Sequence, residues 1–389
     1  MMSQSGLLAL VLSGQHTLEI RMQARIVRRH QNWPEAGLVT PALPPHRTAS
    51  TAIACAIGLA AGFAQCACAD TLTVATLGDP GPALQLSLRQ AVAMSGDGDT
   101  IDFAPGLGGT ITLLHGEIAI THALTITGPG PEVISVVADA KSRIFDVDNA
   151  ASLTPFDVTI GGLTLTGGSV SDNGGAILSG GVNLTIDHCV IAGNAASGTG
   201  GGLAINGHNF SIASTLVNGN SAGSNGGGLA AFNPYDGIAP SSQVIEASSF
   251  VDNKSGGNGG AIALSLALIP LPAAPPSGPA AIDLINVTLA GNGATGSGGG
   301  VYANGGAGSV LTIASSTIVD NMAGTGGGID AGGTPTLIDS IVANNPVLAL
   351  SGGDLAGTFT ANYNLVETPA FALLNGSHNI IGVDPQLGA

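Results

Sequence analysis

Phe250-Val251-Asp252-Asn253-Lys254-Ser255-Gly256-Gly257-Asn258-Gly259-Gly260-Ala261-Ile262 holds both halves of a unit that recurs along the chain. An apolar residue, two variable residues and an asparagine close one segment, and a glycine cluster then runs into a short apolar piece. The ending returns as Ile191…Asn194, Val217…Asn220, Leu289…Asn292, Ile318…Asn321 and Ile341…Asn344, so the six asparagines are 26, 33, 39, 29 and 23 residues apart. The glycine clusters close at Gly175, Gly202, Gly228, Gly260, Gly300 and Gly328. Periods of this size mark stacked repeats.

The repeated pieces are strands. Asn183-Leu184-Thr185-Ile186, Asn209-Phe210-Ser211-Ile212 and Val310-Leu311-Thr312-Ile313 alternate over a few residues and are rich in threonine and branched side chains. Past residue 105 no segment sustains a 3.6-residue apolar period with caps, which disfavours a helical repeat. Short strands joined by tight turns predict a parallel β-helix whose coils stack at about 4.8 Å. The recurring asparagine is expected to take the left-handed conformation at one turn and to bond turns above and below, forming a ladder of Asn194, Asn220, Asn253, Asn292, Asn321 and Asn344. The glycines fit positive φ or close backbone approach. Pro270, Pro272, Pro275, Pro276 and Pro279 place an outward loop near 266–280, because proline cannot donate to an internal ladder, and a second insertion is expected near 230–241. Upstream, Thr110–Leu113, Ile118–Ile120, Leu124–Thr127 and Val133–Val136 read as first coils, while Ser87–Ala93 reads as a short amphipathic helix capping them.

The 389 residues carry a net charge of −16 with 61 glycines. Residues 70–389 hold 4 basic against 23 acidic groups, which excludes a nucleic-acid binder that works through a basic surface. Glycine lacks the period of three that collagen needs. His46 to Ser50, the apolar run Thr51–Ala64 and Ala67-Cys68-Ala69 read as a signal peptide over 46–69, cleaved before Asp70. The run is too short for the roughly twenty residues of a spanning helix. Residues 1–45 form an extension that sits awkwardly upstream of such a leader, as if the true start lay later. Cys55, Cys66 and Cys68 leave with the leader, so the expected mature chain keeps only Cys189 and has no internal disulfide. Cys189 is expected to be structural rather than nucleophilic.

Beyond these patterns, Ser87-Leu88-Arg89-Gln90-Ala91-Val92, then Gly98-Asp99-Thr100-Ile101 and Leu124 to Gly130, resemble the amino-terminal cap and first coils of secreted right-handed β-helix proteins of the pectin-lyase-like fold. Gly174 to Ile177, Gly259 to Ile262 and Phe250 to Asn253 resemble the repeats of polymorphic outer-membrane proteins and autotransporter passengers. Asn379 to Gly388 resembles the last coils of such surface-displayed helices. The resemblance implies an all-β, right-handed parallel β-helix, with a cap over 70–105 held through Arg89 and coils over 106–389. It also implies export to the cell surface or bacterial outer membrane, and it includes adhesins and a minority of polysaccharide-acting enzymes.

Chemistry is less sharply written. A lyase acting on an acidic polymer wants a basic group beside calcium-holding carboxylates. Past residue 69 the only basic residues are Arg89, Lys141, Arg143 and Lys254, with Lys141 and Arg143 beside Asp139 and Asp146. A glycoside hydrolase needs two carboxylates about 5 to 9.5 Å apart, for which Asp320 with Asp330 or Asp339 are the candidates. Asp252 and Asp320 precede equivalent asparagines, which points to turn chemistry instead. His115, His122, His208 and His378 lack ligand spacing, and no glycine cluster is followed by the lysine of a phosphate loop. The expectation is therefore a non-catalytic, monomeric adhesion or surface protein without cofactor or metal, whose partner is an extracellular glycan or protein receptor. A polysaccharide hydrolase or lyase is the alternative.

Overall fold

The computed structural model describes residues 69–387 apart from 83, 140, 150–153, 207–208, 233–241, 266–280, 306–309, 349–352 and 371. The expected extension, the leader and most of both insertions lie outside the described residues. The described chain is mostly β, with one helix, and every strand pairing in it is parallel. The strands form a sheet of twenty, a sheet of eleven and a sheet of five two-residue strands. The twenty-stranded sheet is two stacks joined through the long strand Leu355–Asn362, which pairs with Ile329–Ala331 of one and Thr336–Ile338 of the other.

One repeat shows why these residues fold this way. Ile177–Gly180 lies in one stack, Asn183–Asp187 in the second, Val190–Ala192 in the eleven-stranded sheet and Ala195–Ala196 in the smallest. Each pairs with its counterpart 26 residues later, as Ile177 with Leu203, Leu184 with Phe210 and Ile191 with Val217. Alternation sends every second residue inward. Ile186, Ile212, Ile245, Leu284, Ile313, Leu337 and Ala361 stand in register and are all buried. Leu165, Ile191, Val217, Phe250, Leu289, Ile318, Val342 and Val366 make a second such column, and Ile177, Leu203, Leu229, Ile262, Val301, Ile329 and Leu355 a third. A fully buried Leu, Ile or Val contributes roughly 1.5–3 kcal/mol, so these columns are the main source of stability.

Register survives where the chain lengthens. Only two residues separate Ile177–Gly180 from Asn183–Asp187, but longer stretches separate Leu229–Phe232 from Ser242–Glu246 and Ile262–Ser265 from Ala281–Ile285. Both extra lengths fall between the same two stacks.

Recurrent turns need left-handed backbone, and the structure moves the expectation for the ladder asparagine and divides the two roles expected of the glycines. The positive φ falls on the residue before the ladder asparagine at Gly193, Gly219, Asp252, Gly291 and Asp320; of the six expected ladder positions only Asn344 is itself left-handed, and it precedes a further asparagine, Asn345. In the glycine clusters the positive φ is at the first member, Gly174, Gly200, Gly226, Gly259, Gly298 and Gly326, rather than at the last, Gly202, Gly228, Gly300 or Gly328. Gly175 and Gly260 hold the second place. There a Cβ would run into the carbonyl oxygens of Gly201 and Gly299 in the next repeat. The last place accepts alanine, as Ala176 and Ala261 show.

At the amino-terminal end, helix α1 (Leu88–Met94) is started by Ser87, whose side chain accepts from Gln90 N while the Gln90 side chain accepts from Ser87 N. Leu88, Ala91 and Val92 are buried, and α1 packs on Thr71–Val74 and Ile118–Ile120. Arg89 donates to Asp79 Oδ1 and Oδ2 at 2.7 and 3.0 Å and to the carbonyls of Glu117 and Gly116 at 2.8 and 2.5 Å.

Candidate functional site

The sequence candidates are dispersed. Asp320 follows the strand Thr317–Val319 of the eleven-stranded sheet, exposed and left-handed, and accepts from the Asn344 side chain. Asp330 lies within Ile329–Ala331 and accepts from Thr325 Oγ1 at 3.1 Å. Asp339 follows Thr336–Ile338, exposed with φ 50°. Each belongs to a different stack of strands, and no hydrogen bond among the described residues joins them. Asp252 likewise occupies a left-handed turn.

The ladder is a continuous polar column. Asn194, Asn220, Asn253 and Asn292 each donate Nδ2 to the next side-chain Oδ1 at 2.8–3.0 Å, and Asn321 continues the column to Asn345 at 2.9 Å. Each also sends its second amide hydrogen to a carbonyl of the preceding repeat, as Asn253 does to Val217. Asn345, not Asn344, is the sixth member. The apolar residue equivalent to Ile318 is Val342, so counting from Ile341 misplaces the asparagine by one. The column ends on Asp354, whose Oδ1 accepts from Asn345 Nδ2 and whose Oδ2 accepts from Thr368 N. Burial pushes the Asp354 carboxyl above the usual aspartate value against those hydrogen bonds. A second column, which the glycine and asparagine repeat does not mark, runs through Thr215, Ser248, Ser316, Ser340, Asn364 and Asn379, interrupted by Val287. These columns satisfy turn backbone and leave no reactive group free.

Cys189 is also structural in its surroundings: it is 1% exposed, its thiol faces the carbonyls of Ile160 and Asp187, and burial pushes it up to about 11. His188 is exposed and contacts Asp187 at 2.8 Å. Tyr363 stacks on His378 with centroids 4.6 Å apart, and Tyr235 lies outside the described residues. Among the described residues no cluster of three His, Cys, Asp or Glu could hold a metal ion.

Ionisable groups converge instead near the capped end. A cleft of about 460 Å³ opens between the segments 115–117, 141–143 and 170–172. These segments come from successive repeats and are tied by backbone hydrogen bonds, Ile118 N to Ile144 O and Ser169 N to Ser142 O. Arg143, with a side chain 9% exposed, lines the cleft and sits 3.3 Å from Glu117 Oε2, 3.6 Å from Asp146 Oδ1 and 3.8 Å from Asp172 Oδ2. Because the Glu117 and Asp146 oxygens share one guanidinium nitrogen at 3.3 and 3.6 Å, they lie no more than about 7 Å apart. Burial raises the Asp146 carboxyl above its usual value; Arg143 opposes that, and the Asp148 and Asp172 charges add to it. Lys141 and His115 stand exposed at the rim. Sequence reading placed Lys141 and Arg143 beside Asp146 but did not name Glu117 or group Asp172 with them. Their spacing from Asp146, 29 and 26 residues, is the repeat interval, and this was the available signal.

No protein-family model, curated protein or solved structure matches the chain. The likeness to secreted and outer-membrane repeat proteins therefore rests on the motifs quoted above. No helix among the described residues is long and apolar enough to cross a membrane.

Proposed function

We propose that the chain is an exported, right-handed parallel β-helix acting as a non-catalytic adhesion or surface-structure protein. The observation that carries this reading is the use of the recurrent polar residues in continuous columns while Asp320, Asp330 and Asp339 are kept on different stacks. Outward positions of two stacks, such as Thr185, Ser211 and Thr312 or Thr166, Ala192 and Thr317, carry short side chains suited to a smooth face. Parallel pairing at each repeat interval supports the winding, and the leader over 46–69 supports export. Antibody labelling of intact cells expressing the full chain tests the placement. Label that disappears when residues 46–69 are deleted is expected, and label seen only after lysis in both cases overturns it.

A second reading, a polysaccharide-acting enzyme, is favoured by the three carboxylates around Arg143. Incubation of the purified protein with neutral and acidic polysaccharides, read by reducing-end or unsaturated product, separates the two. Product abolished by Glu117→Gln and retained by Asp320→Asn would establish catalysis in the cleft. Absence of product from folded protein is the outcome expected of the surface reading.

A further inference from the structure

Two arginines lie near the capped end, and they are held differently. The Arg89 guanidinium makes four hydrogen bonds of 2.5–3.0 Å, the pattern of an arginine committed to structure. Arg143 is the more buried of the two, yet its guanidinium makes no hydrogen bond among the described residues, and its Nε, fully buried, has no partner. Its three carboxylate neighbours stand at 3.3–3.8 Å, longer than the roughly 2.7–2.9 Å of a charge-assisted hydrogen bond. Leaving buried donors unmade is costly, and native proteins seldom do so without a use.

The charges around the cleft select the ligand. Three acids already neutralise Arg143, and two of them, Glu117 and Asp172, line the cleft, so a ligand carboxylate or phosphate would meet like charge at close range. A ligand cation would meet Arg143 and Lys141. A hydroxyl brings no charge, accepts from the guanidinium and donates to a carboxylate. We propose that the cleft bounded by Glu117, Lys141, Arg143 and Asp172 binds a short neutral saccharide, with Arg143 donating to its oxygens and Glu117 and Asp172 accepting from its hydroxyls. Its volume of about 460 Å³ is within the roughly 300–1,000 Å³ of small-molecule sites. Backbone hydrogen bonds immediately beside the three segments, Ile118 N to Ile144 O and Ser169 N to Ser142 O, fix their spacing before the ligand arrives. This site goes beyond the surface reading and stands wherever the chain is displayed.

Calorimetric titration of the full chain with maltotetraose, cellotetraose, laminaritetraose and mannotetraose tests it, with trigalacturonate and a chitosan trimer as charged arms. A neutral oligosaccharide binding with a millimolar or tighter Kd is expected. Glu117→Gln and Asp172→Asn should each weaken it about tenfold, and Asp283→Asn on a distant strand should leave it unchanged. Thermal unfolding of each variant separates loss of binding from loss of fold, and Lys141→Ala, at an exposed rim position, supplies an independent variant. Silence of every neutral probe, binding unaffected by both carboxylate variants, or binding of the charged probes alone would overturn the proposal.

Discussion

At the scale of single residues, the columns of the molecule make opposite demands on polar groups. Gln243 shows the first. It stands inward between Phe210 and Ile282, 2% exposed, with neither its Oε1 nor its Nε2 partnered among the described residues. An unpaired buried amide costs about 1–3 kcal/mol, so Gln243→Leu is expected to raise stability by roughly 1–2 kcal/mol, read as a higher denaturant midpoint at unchanged slope. A lower midpoint would show that the amide has a use there. Asn345 shows the second demand, since it accepts from two Asn321 groups and donates to Asp354 and Ile318. Asn345→Ala is expected to cost about 2–4 kcal/mol, whereas Asn344→Ala, in the exposed turn beside it, should cost less than about 1 kcal/mol. Equal losses at the two positions would refute the one-residue assignment of the column.

At the scale of elements, the turns and the cap decide whether neighbouring repeats can approach. A Cβ at Gly260 would enter the backbone of Gly293 and Gly299, but one at Gly293 would meet nothing within 4 Å. Gly260→Ala is therefore expected to lose about 3 kcal/mol or more, and Gly293→Ala to change stability by less than about 1 kcal/mol, both read by thermal unfolding. In the cap, burial works to raise Asp79, but Arg89 and the N–H groups of Leu114 and His115 outweigh it and hold the carboxyl below its usual value. Since the folded state then binds its proton less readily than the unfolded one, this stability is present above about pH 3.9 and is lost as pH falls through the depressed value. The gap between wild type and Asp79→Asn should accordingly narrow in acid; a constant gap would mean that the pair contributes packing alone. Asp146 and Asp354, raised by burial, act in the opposite sense, losing stability as pH climbs through their raised values. The strands and α1 were legible in sequence because strand alternation and the amphipathic pattern of Ser87–Ala93 are local. Which glycine of a cluster takes positive φ was not, because that is decided by a carbonyl of the next repeat.

At the scale of the whole molecule, each repeat rests mainly on its neighbours, so stability is close to a sum of nearest-neighbour terms. The candidate cleft escaped sequence reading for the same reason: Glu117, Arg143 and Asp172 meet only when three repeats are laid in register. The two ends of the described chain differ. One is closed by α1 and the Arg89 contacts, while the other exposes Leu373, Ile380, Ile381 and Val383. Opening should begin at the second end and reach the repeat containing Cys189 late. With Cys55, Cys66 and Cys68 replaced by alanine, that residue is a built-in reporter, since only a thiolate reacts readily with a disulfide reagent and burial holds this thiol at about 11. In native buffer its labelling is expected to be slow and to accelerate only through the global unfolding transition. Arg89→Met, which loosens the closed end, should speed labelling, and Ile381→Asp, at the opposite end of the described chain, should leave it nearly unchanged. Rapid labelling of the wild-type protein while its far-ultraviolet circular dichroism stays native would show instead that the inner repeats open locally, and that the stack is held less cooperatively than its columns imply.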